Sequence, residues 1–295
     1  MLFRSSTGVS ASSVSPTSDV PWTTITSTTI TSTGPTSSVP APAVSSAVSS
    51  SVGPPLAAPK VDAAAWGVFD VSSEQWLASS HRNTPLRVGS LMKLLTTYVV
   101  QQAGDPAHVV TIPPMVIDPR ESRIGVLTGE HYDRALLVRA MLIVSASDAA
   151  RALAIDVGGS EAHFVAMMNA AAATLGLSST VARNSMGLDA TGAQSTVADL
   201  VKLTVALRRD PTFVATVKRK SATLHGHVFP NTNHLLITYP GADGVKTGHT
   251  TRAGYCVVAT ATRDGRTLMV VLLGAPTDAK RVAGATALLD WGFAH

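Results

Sequence analysis

Gly254-Tyr255-Cys256-Val257-Val258-Ala259-Thr260-Ala261 and Thr267-Leu268-Met269-Val270-Val271-Leu272-Leu273 stand on either side of Arg263-Asp264-Gly265-Arg266. Two apolar, β-branched runs joined through Asp-Gly read as a hairpin, because these two residues adopt the positive φ angles of a tight turn at little cost. Working outward, Trp66 to Val71 and Ser72 to Leu77 read as a second hairpin near the start of the folded part. The stretch from Ala279 to Gly292, with Val282, Leu288, Leu289 and Trp291, reads as a last amphipathic helix. Between the hairpins the period is helical, over Leu91–Gln102, Tyr132–Leu142, Asp148–Val157 and Glu161–Leu175. Thr196, with Asp199 three residues on and Leu200, Leu203 and Leu207 on one stripe, reads as a helix N-cap, which gives Asp199 a structural role. Beyond Tyr239-Pro240-Gly241 the period returns to strand. Strands, a helical block, strands and a helix imply an α+β fold: an antiparallel sheet flanked by helices, with an inserted helical subdomain beside it.

Composition divides the 295 residues unevenly. From residue 1 to 60 the chain is a Ser/Thr/Pro/Val mixture whose charges are Arg4, Asp19 and Lys60. So little large apolar surface cannot offset the entropy of ordering a backbone, so residues 1–60 read as a disordered stalk and 61–295 as the folded domain. Met1-Leu2-Phe3-Arg4 followed by Ser and Thr lacks the apolar core of a signal peptide. The most apolar run, Leu268 to Leu273, is strand-sized, so neither export signal nor membrane anchor is visible, and any anchoring is expected to be N-terminal. The single cysteine, Cys256, excludes an internal disulfide and a cysteine-based metal site and reads as a buried small hydrophobe. A net charge of +4 without a Lys/Arg cluster interleaved with aromatics argues against a nucleic-acid partner. There is no H-E-x-x-H, no G-x-S-x-G, no phosphate-binding loop and no metal-ligand pattern among the nine histidines, so no metal or cofactor is implied.

Chemistry enters with three short motifs in chain order: Ser90-Leu91-Met92-Lys93, Ser145-Ala146-Ser147 and Lys246-Thr247-Gly248. A serine three residues before a lysine on a helix sets hydroxyl and amine on one face, one turn apart, where the amine can take the hydroxyl proton. That pairing supplies a nucleophile and its base for acyl transfer. The three motifs are expected to meet at the cleft between the sheet and the helical block.

With these motifs the sequence resembles the D-alanyl-D-alanine carboxypeptidases, low-molecular-mass penicillin-binding proteins of serine peptidase family S11, from about Ala63 to Phe293. The resemblance extends to Ile124–Glu130, Met141–Ser145, Phe164–Asn169, Gly187-Leu188-Asp189, Asn231–Leu236 and above all Tyr239–Thr250 followed by Ala253-Gly254-Tyr255-Cys256. It implies a β-lactamase/DD-peptidase-like fold and removal of the terminal D-alanine from peptidoglycan stem pentapeptides, through an acyl-enzyme on Ser90. Its partners are then the stem peptide and, as covalent inhibitors, β-lactams, and its setting is extracytoplasmic or cell wall-associated. Lys93 is implied as the base, so its pKa must fall from about 10.4 to near 7, around 4 kcal/mol of environmental work, with Lys246 and partial burial as the expected sources. Ser145 is implied to relay the proton to the leaving amine. Thr247 and Lys246, in the motif closed by Gly248, are implied to hold the substrate carboxylate. The backbone N–H groups of Ser90 and His249 are implied to form the oxyanion hole.

Asn184, Gly187 and Asp189 match the family but read as loop-shaping residues, and Asn231 and Asn233 as groups that satisfy turn backbone. The departure is Ser147, where the family carries Asn. Its shorter stem weakens contacts to Lys93 and to the substrate amide, an expected penalty of about tenfold. Asp148 reads as a cap or brace of the following helix. Two alternatives remain: a β-lactam-binding or peptidoglycan-binding protein of weak activity, and a β-lactamase-like hydrolase. Against the second, none of Glu74, Glu121, Glu130 and Glu161 is followed by the Leu-Asn pair of class A enzymes.

Overall fold

The computed structural model describes residues 57–224 and 226–295. The stalk read over residues 1–60 therefore lies, but for its last four residues, outside the described residues. In chain order the elements are β1 (Ala65–Asp70), β2 (Gln75–Ser80), a 3-10 turn (Gly89–Met92) running into α1 (Lys93–Gln102), β3 (Val109–Thr111), β4 (His131–Asp133), α2 (Arg134–Ile143), α3 (Ser147–Gly158), α4 (Glu161–Thr174), α5 (Val197–Arg208), α6 (Pro211–Val217), β5 (Ser221–Leu224), β6 (His227–Pro230), α7 (Leu235–Thr238), β7 (Ala242–Thr250), β8 (Gly254–Arg263), β9 (Arg266–Ala275) and α8 (Asp278–Phe293).

The expected α+β architecture is present. Five antiparallel strands run in the order β2-β1-β9-β8-β7. The β8–β9 hairpin closes as the sequence indicates, with Arg263 opposite Arg266 and Asp264 and Gly265 at φ 49° and 80°, the doubly positive pair that a two-residue turn demands. These central strands are apolar without alternation because both faces of the sheet are covered. Leu268, Val270 and Leu272 pack with Ala285, Leu288 and Leu289 of α8. Met269, Val271 and Leu273 point the other way, into the core shared with α1, α3, α4 and α5. Each such side chain removed from water contributes about 1.5–3 kcal/mol, which makes the two-sided burial of β9 the anchor of the fold. Cys256 sits on the helical side at 0 % exposure, and burial pushes its thiol up to about 11, as a buried small hydrophobe requires.

Helix boundaries differ from the sequence reading in one way that matters. The expected helix from Leu91 begins instead as a 3-10 turn at Gly89 and becomes α-helical at Lys93. Similarly α2 starts at Arg134, because Tyr132 pairs with Val110 in the β3–β4 hairpin. The N-cap at Thr196 holds: its side chain accepts from Asp199 N–H at 3.0 Å, while Asp199 itself accepts from Thr180 and Ser179. Among the described residues no helix is long and apolar enough to cross a membrane.

Candidate active site

Three structural corners converge. Ser90 rides on the 3-10 turn, so that Lys93, the first residue of α1, lies directly beneath it and its Nζ donates to Ser90 Oγ at 2.9 Å. The same amine donates to the Met186 carbonyl at 2.6 Å and reaches Ser147 Oγ at 3.5 Å. Met186 is placed by Asn184, whose Oδ1 accepts from the N–H groups of Met186, Gly187 and Leu188, the loop-shaping role expected of it. Between α2 and α3 the chain reverses sharply at Ser145, which takes φ 67°, a left-handed conformation that costs a non-glycine residue about 1 kcal/mol. That reversal aims Ser145 and Ser147 at the same cleft.

The third corner is β7, the edge strand of the sheet. Lys246 Nζ donates to Ser145 Oγ at 2.9 Å and to the Thr247 carbonyl at 2.8 Å. Gly248 permits the contact between β7 and the Ser90 turn: a Cβ there would sit 2.5 Å from the Val88 carbonyl oxygen and 3.0 Å from Leu91 N. Beside it, His249 N lies 3.0 Å from where a Cβ on Gly89 would be, so its amide stands next to the turn that carries Ser90. The His249 ring points outward and packs on Tyr255, 4.1 Å between centroids, consistent with a role for its main chain rather than its imidazole. Asn231 and Asn233 satisfy backbone as expected, Asn231 donating to Arg219 O and Asn233 to Gly244 O.

Electrostatics set the two lysines apart from surface lysines. Lys93 is 0 % exposed, and burial lowers its pKa to about 7 against the attraction of Glu121 and Asp148. This corrects the expected degree of burial. Burial is complete rather than partial and is the first cause of the lowering, while the two amines disfavour each other's charge. Lys246 is itself pushed well below the ordinary lysine value, first by burial and then by the positive charges of Lys93 and Arg281. Asp148, in the first turn of α3, accepts from Ala149 N–H at 2.9 Å through Oδ1, the brace expected of it, and its Oδ2 also accepts from the N–H groups of Ile124, Gly125 and Val126, which holds the loop beside the cleft.

Ser90, Ser145, Ser147, Thr247, Gly248 and His249 all line one open cleft of about 800 Å³, whereas Lys93 and Lys246 lie behind its wall. Three contributors went unread in the sequence. Arg281, on α8, enters the cleft with its guanidinium held by the Cys256 carbonyl and Asp278. Thr232 pairs its hydroxyl with Thr247 Oγ1 at 2.7 Å. Glu121 stands on the loop before β4, next to Ser122, whose carbonyl accepts from Ser147 N–H at 2.7 Å. Arg281 and Glu121 carry no local pattern, and Thr232, although inside the Asn231–Leu236 stretch, is not distinguished within it, because each reaches the site through tertiary packing. Among the described residues no cluster of His, Cys, Asp and Glu could hold a metal.

Residues 52–277 match the family described as D-alanyl-D-alanine carboxypeptidase, and the chain belongs to that family. Its sequence is 38% identical over 250 residues to D-alanyl-D-alanine carboxypeptidase DacC of Escherichia coli, a match that covers 80% of this chain and 62% of that protein. The chain spans a little under two thirds of the length of the first curated relatives it matches. Its fold superposes on penicillin-binding protein 6B of Escherichia coli with a TM-score of 0.77 at 32% identity, covering 81% of this chain and 79% of that one. It also matches penicillin-binding protein D2 of Listeria monocytogenes in its cefotaxime-bound form, with a TM-score of 0.73, 32% identity and coverage of 80% and 98%.

Proposed function

We propose that this chain is a serine-type D-alanyl-D-alanine carboxypeptidase acting on peptidoglycan stem pentapeptides outside the cytoplasm, with residues 61–295 as its catalytic unit. The observation that carries the reading is the Ser90–Lys93 pair: a hydroxyl 2.9 Å from a fully buried amine whose pKa is about 7. Such an amine is half neutral at physiological pH and accepts the Ser90 proton as Oγ attacks the carbonyl of the penultimate D-alanine. The oxygen of that carbonyl takes up negative charge facing the amides of Ser90 and His249, where one donor contributes about 3–4 kcal/mol to the transition state. Lys246 and Ser145, hydrogen-bonded to one another, form the second proton path, and Ser145 hands a proton to the departing amine of D-alanine. Water then releases the shortened peptide from Ser90.

At the leaving-group end, Thr247 offers its hydroxyl, and Arg281 supplies positive charge for the terminal carboxylate. Lys246 supports this end from behind Thr247. A β-lactam presents a carbonyl and a carboxylate in similar relation, and the Listeria relative is a cefotaxime-bound form. We therefore assign β-lactams to Ser90 as covalent inhibitors.

Release of D-alanine followed against pH tests the reading. Lys93 works as a base only when neutral, and its pKa is lowered to about 7, so the rate is flat above that value and drops about tenfold per pH unit well below it. A profile that keeps rising to pH 10 contradicts the assignment, since it would belong to an ordinary lysine.

Ser147 gives a second expectation. Its Oγ is only at the limit of contact with Lys93 Nζ, 3.5 Å, and it lines the cleft. Ser147→Asn extends an amide toward the substrate and toward Lys93 and is expected to raise acylation several-fold, about 1 kcal/mol. Loss of activity with the fold intact would mean instead that the pocket is built around a small residue.

A further inference from the structure

Away from the cleft, a second cavity of about 220 Å³ opens between the last turn of α1, α2 and α6. It shares no lining residue with the cleft that holds Ser90. Well-packed interiors leave few voids larger than a water molecule, so a hollow of this size among three helices is an exception to the core around it. Val100, Leu142 and Phe213 form its floor, and the half-buried Ala135 and Val138 form its sides. An apolar cavity of roughly 150 Å³ holds a benzene ring, so this one has room for a ring with a short substituent. Phe213 offers such a ring an edge-to-face or offset partner.

Most of the polar groups on the lining are already spent. Asp210 Oδ2 accepts from Gln101 Nε2 at 2.7 Å, and its Oδ1 accepts from Thr212 N–H at 2.8 Å at the start of α6. Arg134 donates to the Gly104 carbonyl at 2.6 Å and to Asp156 at 2.9 Å. Arg139 differs. It is half-buried on the α2 wall and has neither an ion pair nor a hydrogen-bond partner among the described residues. The charge left to attract a ligand is therefore positive, and a guanidinium presents a planar fork that matches a carboxylate.

We propose that the cavity between α1, α2 and α6 is a binding site for a small aromatic carboxylate, its ring lodged against Val138, Leu142 and Phe213 and its carboxylate on Arg139. This goes beyond the carboxypeptidase reading and does not rest on it. The occupant sits against the two helices that lead to the cleft, since α1 opens with Lys93 and α2 runs into the turn at Ser145. A charge-assisted contact at a partly exposed cation corresponds to about a tenfold preference for the acid over a neutral ligand of the same shape.

The test titrates isotope-labelled protein with p-ethylbenzoate and, separately, with p-ethylbenzamide, its uncharged counterpart, and follows the backbone amide signals by NMR. The benzoate is expected to move the amides of Val138, Leu142 and Phe213 with a Kd of about 1 mM or tighter, the range open to a ligand of this size. The benzamide is expected to bind at the same place about tenfold more weakly. Arg139→Gln should weaken the benzoate by about that factor and leave the benzamide within about twofold of its wild-type affinity. Shifts confined to the cleft residues Ser145, Thr247 and His249, equal affinities for the two ligands, or a tenfold ratio that survives Arg139→Gln overturns the proposal. So does the absence of saturable shifts up to about 10 mM of the benzoate. Each of these results leaves the carboxypeptidase reading intact.

Discussion

Lys93→Ala is expected to slow acylation by a β-lactam about a thousandfold while the protein stays folded. The amine is the group positioned on Ser90 Oγ, and a well-placed general base contributes about 10²–10⁴ to a rate. The remaining candidate, Lys246, is committed to Ser145 and the Thr247 carbonyl, so it offers no replacement base at Ser90. Loss of a fully buried side chain leaves a cavity, but it also relieves the cost of holding an amine away from water, so the two changes in stability oppose one another. Lys93→Met, which fills more of the space, separates the chemistry from the packing. Both variants should lose labelling, with Lys93→Met closer to the wild-type thermal midpoint. Rapid labelling of either at neutral pH would remove Lys93 from its role.

Ser90→Ala has the largest expected effect of all, complete loss of covalent labelling. Its structural cost is small: Ser90 is only partly buried, and the hydroxyl's partner in the structure is Lys93. Intact mass after incubation with a β-lactam should rise by one inhibitor for the wild-type protein and by none for the variant. A label that persists in Ser90→Ala, on Ser145 for example, would reverse the roles assigned to the two serines.

The sequence carried the sheet and the Ser90–Lys93 pairing because both are local. Asp264-Gly265 between apolar runs needs no knowledge of the rest of the chain, and a serine and a lysine three residues apart are joined by backbone geometry alone. The same locality explains the misreadings. Periodicity cannot distinguish a 3-10 turn from the first turn of an α-helix, so Ser90 and Lys93 read as one helix although they straddle a junction. Short hairpins such as β3–β4 and β5–β6 contain three or four residues per strand, too few for a period to register. Arg281 and Thr232 were invisible for another reason. Their function comes from where α8 and the segment before α7 pack, and nothing in an Arg on an amphipathic helix or a Thr between asparagines distinguishes it from its neighbours. The depth of the lysines belongs to the same class, since the complete burial that lowers Lys93 follows only from how α1 packs against its neighbours.

Mass spectrometry of a stem pentapeptide incubated with the purified protein tests the central claim most directly. The proposed chemistry predicts a product shorter by the single terminal D-alanine, formed by the wild-type protein and not by Ser90→Ala. A pentapeptide that remains whole with the wild-type protein while a β-lactam still labels Ser90 would contradict it, and would leave a protein that binds β-lactams without being a carboxypeptidase.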